Sequence, residues 1–181
     1  PQTERFDAVC GIMVKTNNVQ PIRSLKDIQR MKDCLIRYCS YRDYFLFVLG
    51  INVGCRVSDL ICLKVKDIRG KTQFNIKEQK TGKIRSIFVN EYLQEEIDKY
   101  TKTMEPEDFL FPSRKGNSHI TVTQAYRALR KGGEMAGIDN VGCRTLRKTY
   151  GYHYYKRYKD LSYLQELFSH SNPTITEKYI G

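Results

Sequence analysis

The chain has 181 residues, which is enough for one domain with a sizeable hydrophobic core. It carries 31 Lys and Arg against 20 Asp and Glu, and the net charge of +11 favours a polyanionic partner, with nucleic acid foremost. No apolar run approaches the ~18 residues of a membrane span and no secretion signal is visible, so we expect a cytoplasmic protein that does not engage a membrane.

The beginning of the chain differs in character from the rest. Residues 1–23 are mixed and polar, and we expect them to form a leader or linker ahead of one domain at 24–181. Ser24 followed by Asp27 is the pattern of a capping box that opens a helix. Apolar residues then recur at helical spacing, which predicts that a helix follows Ser24 directly.

The next elements are two helices and a hairpin. A helix is predicted from about Tyr41 to Ile51, and Gly54 either ends it or marks a tight turn. A short helix is predicted through the apolar residues of 57–63. The pattern then changes to alternation, and two short strands are predicted on either side of the glycine-bearing turn 80–83.

The second half of the chain returns to helical spacing. The predicted elements are a helix near 92–100, a buried extended segment at 109–112, a polar loop at 113–118, helices at about 121–136 (closed by Gly137), 145–158 and 160–169, and a short helix from Pro173. The predicted fold class is therefore mainly α with a small antiparallel β-sheet (α+β).

The cysteines and histidines show no metal-site pattern. No CxxC pair or Cys/His cluster with zinc spacing is present, and several cysteines lie among apolar residues. We therefore expect reduced core thiols, with neither a disulfide framework nor a metal site.

Two stretches hold the first candidate functional residues. Arg56 is predicted to open the short third helix, and Asp59, three residues later, is close enough to brace its guanidinium. A surface Arg–Asp pair is the commoner explanation of that spacing. Lys80 and Lys83 lie in the predicted hairpin turn, where lysines are usually solvated charges, and Arg85 follows them as a candidate phosphate contact.

A second pair of arginines lies later in the chain. Arg144 and Arg147 are three residues apart and so are predicted to share one helix face, with Lys148 beside them. A guanidinium is planar, permanently charged and able to donate two parallel hydrogen bonds, which suits it to binding phosphate oxygens.

The last candidates are a histidine and a tyrosine. His170 precedes Tyr179 by nine residues, and Asn172-Pro173 is a good start for a helix that would carry Tyr179. A lone histidine is more often structural than catalytic, and most of the 13 tyrosines must serve packing. Because a free phenol has a pKa near ~10, its attack on phosphorus requires a base or a cationic setting.

Three strings in this order resemble the catalytic domain of the tyrosine recombinase (phage integrase) family over residues 24–181. They are GCRVSDLICLKVKDI (54–68), EQKTGKIRSIFV (78–89) and CRTLRKT…LFSHSNPTITEKY (143–179). The resemblance implies a site in which Tyr179 attacks a DNA phosphodiester, arginines bind the phosphate, Lys80 protonates the leaving 5′ hydroxyl and His170 donates to the phosphate. The implied catalytic set is Arg56, Lys80, Arg144, Arg147, His170 and Tyr179, with Asp59 in support and Lys83, Arg85 and Lys148 as further DNA contacts.

The resemblance also sets expectations about partners and origin. It implies double-stranded DNA as substrate, no metal and no other cofactor, and a bacterial or phage-encoded protein. A tetramer on DNA is expected for a full-length member, whereas the isolated domain is expected to be monomeric. The N-terminal core-binding domain of the family is expected to be absent from this chain.

The sequence departs from the family at Arg144, where histidine is usual. An arginine cannot act as a general base because its pKa exceeds ~12. Two other functions stay open at this point. A type IB topoisomerase-like DNA strand transferase would use the same chemistry without strand exchange, whereas a non-enzymatic helical DNA-binding regulator would form no covalent link to DNA.

Overall fold

A computed structural model describes residues 19–181, and the helices and strands of that range agree with the predicted fold class. In chain order they are α1 (Leu25–Tyr38), α2 (Tyr41–Val53), α3 (Val57–Leu60), α4 (Val65–Ile68), β1 (Gln73–Lys77), β2 (Ile84–Phe88), α5 (Glu91–Thr101), α6 (Val122–Ala136), α7 (Cys143–Tyr158), α8 (Leu161–Phe168) and α9 (Pro173–Ile180). The short helix α4 was not predicted. Most of the expected leader, residues 1–18, lies outside the described residues.

Local capping chemistry fixes the ends of the first two helices. The Ser24 hydroxyl accepts the backbone N–H of Asp27 at the start of α1, and Ser40 accepts that of Asp43 at the start of α2. Helix α2 ends at Gly54, whose φ of 67° lies in the left-handed region that favours glycine. The chain can therefore turn sharply into the segment that carries Arg56.

Helix α2 is the centre of the main hydrophobic core. Its residues from Phe45 to Leu49 are all fully buried, because α1, α5 and α7 pack around it. A helix that is apolar on every side shows little amphipathic pattern and belongs inside a domain. Packing on α2 brings the N-terminal half of α7, with Arg147, next to the Gly54 turn.

The hairpin of β1 and β2 places the turn 78–83 beside α3. The strands pair antiparallel, with Phe74 opposite Ile87 and Ile76 opposite Arg85. Phe74, Ile76 and Ile87 are buried, so one face of the ribbon lies on the core. The Asp59 carboxylate of α3 accepts the backbone N–H of Gln79 at 3.0 Å, which fixes the turn to that helix.

Helices α8 and α9 form a second, smaller hydrophobic cluster with the tyrosines of α7. Its buried members are Leu164, Leu167, Phe168 and Ile180. Helix α9 approaches α7 closely at Gly151, where a methyl group would lie 2.7 Å from the side chain of Ile180. The position of Tyr179 therefore depends on this cluster rather than on the main core.

Two further observations concern the ends of the domain and its helices. Ile22, which we assigned to the linker, is 3% exposed, and its N–H donates to the Thr149 hydroxyl at 2.9 Å. The packed unit thus begins slightly before residue 24. Within residues 19–181, none of the helices combines the length and the apolar character that crossing a membrane requires.

Candidate active site

Arg56 directly precedes α3 and pairs with a residue of the hairpin. Its Nη1 lies 3.2 Å from Oε2 of Glu78, and its side chain is 26% exposed. We predicted that Asp59 would brace this guanidinium. In the described residues the ion pair of Arg56 is with Glu78, and Asp59 binds the Gln79 backbone instead. The helical spacing alone did not reveal that the hairpin brings a second carboxylate to Arg56.

Glu78 is a buried carboxylate at the end of β1, with a side-chain exposure of 1%. Oε1 accepts a hydrogen bond from Nε of Arg85, and Oε2 accepts one from the Thr81 hydroxyl at 2.5 Å. Burial by itself would raise the pKa of Glu78, but the hydrogen bonds from Thr81 and Arg85 and the charges of Arg85 and Arg56 outweigh it and lower the pKa to about 2. Glu78 is therefore ionised and is shared by two arginines.

Arg85 does not occupy the place expected of a phosphate contact. Its side chain is only 12% exposed, and besides Glu78 its Nη2 binds the Glu166 carbonyl at 3.1 Å and the Ser169 hydroxyl at 3.3 Å. Glu78 and the end of α8 thus take up Nε and Nη2, and the expected contact of Arg85 with DNA stays a prediction. Arg85 connects the hairpin to the residue that precedes His170.

The two turn lysines, in contrast, are exposed. Lys80 lies in the turn between the strands, two residues beyond Glu78, and Lys83 closes the turn at the start of β2. Lys83 borders an open cleft that His170 and Ser169 also line. Both lysines are accordingly accessible to a large anion, and their contacts with DNA stay predictions.

Arg147 is buried at the junction of three segments. It is 5% exposed, and its two terminal nitrogens donate to the carbonyls of Gly54 at 3.2 Å and Leu167 at 3.1 Å. The guanidinium also lies 4.7 Å from the ring centroid of Phe168. These contacts join the turn before Arg56, helix α7 and the end of α8, so Arg147 connects the first and third of the three family strings.

Arg144 and Lys148 lie on α7 beside the same junction but nearer to solvent. Arg144 is exposed, whereas Lys148 is partly buried with its Nζ 5.1 Å from the ring centroid of Tyr179. Burial lowers the pKa of Lys148, and the charges of Arg144 and Arg23 lower it further. The two arginines predicted to share a face therefore differ: Arg147 supports the site from within and Arg144 faces outward.

His170 and Tyr179 meet where α8 and α9 pack together. Their ring centroids are 5.0 Å apart in an edge-to-face arrangement, and Nδ1 of His170 lies 3.0 Å from the Thr176 hydroxyl. Burial lowers the pKa of His170, with smaller contributions from Arg147 and Arg56. Thr176 is fully buried on α9, so it fixes the histidine ring relative to the helix that carries Tyr179.

The phenol of Tyr179 experiences opposing influences. Burial raises its pKa, whereas the charges of Arg147, Arg144 and Arg56 and a hydrogen bond from Arg147 lower it. Tyr179 thus lies within the electrostatic reach of all three predicted arginines. The structure brings together Arg56, Arg144, Arg147, His170 and Tyr179, with Lys80 on the adjacent hairpin turn.

A phenol hydroxyl surrounded by cations suits chemistry on an anionic phosphate ester. The charges would bind the phosphate oxygens and favour the ionised phenol. Within residues 19–181 there is no group of three or more His, Cys, Asp or Glu side chains placed to hold a metal ion.

Glu78 and Thr176 are site residues that our sequence interpretation missed. Glu78 continues the inward-facing series of Phe74 and Ile76 at a spacing of two, so a carboxylate in that series signals a buried charge that needs cations. No comparable sequence pattern distinguishes Thr176.

Comparison with known proteins gives consistent matches. The model of the phage integrase family matches residues 25–181. The chain is 47% identical over 163 residues to the probable integrase/recombinase YoeC of Bacillus subtilis (strain 168), covering 90% of each chain. It also resembles the crystal structure of XerA recombinase, with a TM-score of 0.72 and 22% identity, over 91% of this chain and 60% of that one.

A third match is a structure of lambda integrase, residues 75–356, as a dimer bound to a COC′ core site. The TM-score is 0.70 at 17% identity, over 94% of this chain and 62% of that one. The chain therefore spans about three fifths of the length of these two structures. At these identities the two structural matches establish the fold alone.

Proposed function

The chain belongs to the phage integrase family, and from this premise we propose that Tyr179 is the nucleophile of a site-specific DNA recombinase. Its phenol oxygen would attack a DNA phosphodiester, form a 3′-phosphotyrosyl link and release a 5′ hydroxyl. In the reverse step that hydroxyl would attack the phosphotyrosine and reseal a strand. The observation that carries the proposal is the position of the Tyr179 phenol, against His170 and within reach of three arginine charges.

The arginines would stabilise the pentacoordinate phosphorus of the transition state. Arg147 is held by two carbonyls and so would present its remaining donors in one orientation, which reduces the cost of reorganisation. Arg56 is held on one side by Glu78. Arg144 is exposed and would complete the set when DNA covers it. Preorganised charges of this kind commonly make the largest contribution to such catalysis.

The reaction needs a hydrogen-bond donor to the phosphate and two proton transfers. His170 has Nδ1 directed at Thr176, which leaves Nε2 to donate to a phosphate oxygen. Lys80, exposed on the turn, would protonate the departing 5′ oxygen, which leaves as a hydroxyl. The phenol must also lose its proton, and Arg144 cannot accept it. The surrounding cations would instead favour the phenoxide, with the proton passing to water.

The proposed partner is double-stranded DNA. The net charge of +11, the exposed lysines of the turn and the DNA-bound state of lambda integrase support this. A protein that neutralises several phosphates should lose affinity steeply as salt rises, by about 10³-fold or more between low and physiological salt. Electrophoretic mobility shift at a series of salt concentrations measures this slope, and a flat profile would contradict the electrostatic interpretation. We further propose a tetramer for a full-length recombinase of this type and a monomer for the isolated domain.

The decisive experiment is detection of the covalent intermediate. The protein is incubated with DNA carrying a nicked candidate site, in the presence of a chelator, and analysed by denaturing electrophoresis. We expect an adduct with the wild type and with Tyr158→Phe, an exposed tyrosine on α7, but none with Tyr179→Phe. An adduct that persists in Tyr179→Phe would assign the nucleophile elsewhere. A wild type that binds the DNA without any adduct would favour the non-enzymatic regulator.

A further inference from the structure

The side chain of Glu78 has contacts that the family resemblance does not account for. Both oxygens of this buried carboxylate are occupied, Oε1 by Arg85 and Oε2 by the Thr81 hydroxyl at 2.5 Å and Arg56 at 3.2 Å. We call Arg56, Glu78, Thr81 and Arg85 the Glu78 cluster. A charge removed from water requires such partners, because a buried unpaired carboxylate is costly. The cluster contains one carboxylate and two guanidinium groups.

The backbone of Glu78 also closes the turn that carries Lys80. Its N–H donates to the Lys83 carbonyl at 2.8 Å, and its carbonyl accepts the Gly82 N–H at 2.8 Å. Gly82 has a φ of 70°, which permits the tight return of the chain. The backbone of Glu78 therefore bonds to the closing residues of the turn, and its side chain connects the turn to Arg56.

The far side of the cluster reaches the third string, next to His170. Nη2 of Arg85 binds the Glu166 carbonyl and the Ser169 hydroxyl, at the residue before His170. Residues from the three family strings are thus connected through a single carboxylate. Because Arg56 and Ser169 are far apart in the sequence, only tertiary contacts hold these segments in their relative positions.

We propose that Glu78 is a positioning residue that fixes the Lys80 turn relative to Arg56 and to the end of α8. This inference rests on the proposed function, in which Lys80 and Arg56 act on the same phosphate group. The carboxylate acts through its neighbours and does not touch the DNA. Without it the turn would keep its backbone hydrogen bonds and the contact between Asp59 and the Gln79 N–H. It would lose its side-chain links to Arg56 and Arg85, and Lys80 would be positioned less closely for the leaving oxygen.

A substrate that needs no proton on its leaving group separates this role from a merely structural one. In DNA with a 5′-bridging phosphorothiolate the leaving sulfur departs as a thiolate, so a misplaced Lys80 matters little. A general loss of folded protein would slow the ordinary and the sulfur-containing substrates equally. The ratio of the two cleavage rates therefore reports on the placement of Lys80.

The test compares wild type, Glu78→Gln and a matched control, Glu107→Gln, in single-turnover cleavage of both substrates. Glu107 also pairs with two cations, Lys64 and Lys66 in the tail of the first string, but it is exposed and neither partner is a proposed catalytic residue. We expect Glu78→Gln to slow cleavage of ordinary DNA by about 10- to 100-fold, the scale of a group misplaced by up to about 1 Å. On the phosphorothiolate the rate loss of Glu78→Gln should be smaller by a factor of at least about three. Its DNA affinity should change by less than about threefold. Glu107→Gln should match the wild type in every measurement.

The outcomes are separable from those of the proposed function. If the wild type forms no covalent adduct, the proposed function itself fails. If the wild type forms the adduct and Glu78→Gln cleaves as fast, or loses equally on both substrates, the positioning role of Glu78 is overturned. Should Glu78→Gln fail to fold by circular dichroism, Thr81→Val removes the turn hydroxyl that donates to Glu78 and accepts the Lys83 N–H at 3.3 Å. Thr81→Val should then shift the ratio of the two cleavage rates in the same direction by a smaller amount. An unchanged ratio would overturn the proposal.

Discussion

Replacing Gly151 by alanine would test whether packing between α7 and α9 sets the position of the Tyr179 hydroxyl. The added methyl group would lie 2.7 Å from Cγ2 of Ile180 and 2.8 Å from Cζ of Phe168. Carbon atoms in contact are normally about 3.5–4.0 Å apart, so these neighbours must move by roughly 1 Å. Ile180 follows Tyr179 directly, and the Phe168 ring lies 5.0 Å from the Tyr179 ring. The displacement therefore falls on Tyr179, the proposed nucleophile.

The expected size follows from that displacement. A misplacement of about 1 Å can cost on the order of 10²-fold in rate, so adduct formation should slow by about that factor. Overpacking costs about 1–3 kcal/mol, and the gain in helix propensity from glycine to alanine returns up to about 1 kcal/mol. Gly151→Ala should consequently stay folded at moderate temperature while losing most of its activity.

The assay is the single-turnover rate of adduct formation, measured together with thermal unfolding. Gly132→Ala is the matched control, because its methyl group would lie 2.6 Å from Leu35 and 3.1 Å from Met31, in the contact between α6 and α1. It should lower the melting temperature comparably but leave the rate near that of the wild type. The reasoning would be refuted if the two variants melted at the same temperature and both formed the adduct at the wild-type rate. That result would show that α9 adjusts without moving Tyr179.

Two further predictions concern charged groups. Because the pKa of Glu78 is about 2 in the folded protein against an ordinary 4.5, its ionised form stabilises the fold above about pH 4.5, and roughly 3 kcal/mol is lost as the pH falls towards 2. Denaturant unfolding between about pH 6 and pH 3 should therefore lose stability less steeply in Glu78→Gln than in the wild type; parallel curves would contradict this origin of the pKa. Arg144→Ala should cost about 2–4 kcal/mol of transition-state stabilisation, with partial recovery in Arg144→Lys and activity retained in Arg144→His. A normal cleavage rate in Arg144→Ala would leave only Arg56 and Arg147 as phosphate ligands.

Much of the secondary structure followed from local chemistry. Gly54 and Gly137 end α2 and α6 in left-handed conformations, and serine or threonine hydroxyls cap the starts of α1, α2 and α6. These signals act over a few residues, so a single sequence contains them in full. Helix α4 escaped prediction because it has four residues and depends on a cap from Asp67 and on pairing of Lys64 with Phe109.

The family boxes likewise were readable from spacing and residue type. Arg56, Arg147, His170 and Tyr179 stand in strings whose order and separation indicate the recombinase family, and the family model and fold confirm that membership. The roles of the individual residues remain predictions for the variants described above.

The sequence by itself determined the element order, the family and the set of residue types at the site, because these depend on neighbours along the chain. Only the tertiary structure decided which partners those residues take. Spacing paired Arg56 with Asp59, but the hairpin brings Glu78 to Arg56 and leaves Asp59 to bind the turn. Arg85 links the hairpin to the end of α8 because Glu78 is buried and must be neutralised, and its contact with DNA stays a prediction. Arg144 and Arg147 differ in exposure because the Gly54 turn and the end of α8 enclose only Arg147, and such enclosure arises between segments that are distant in the chain.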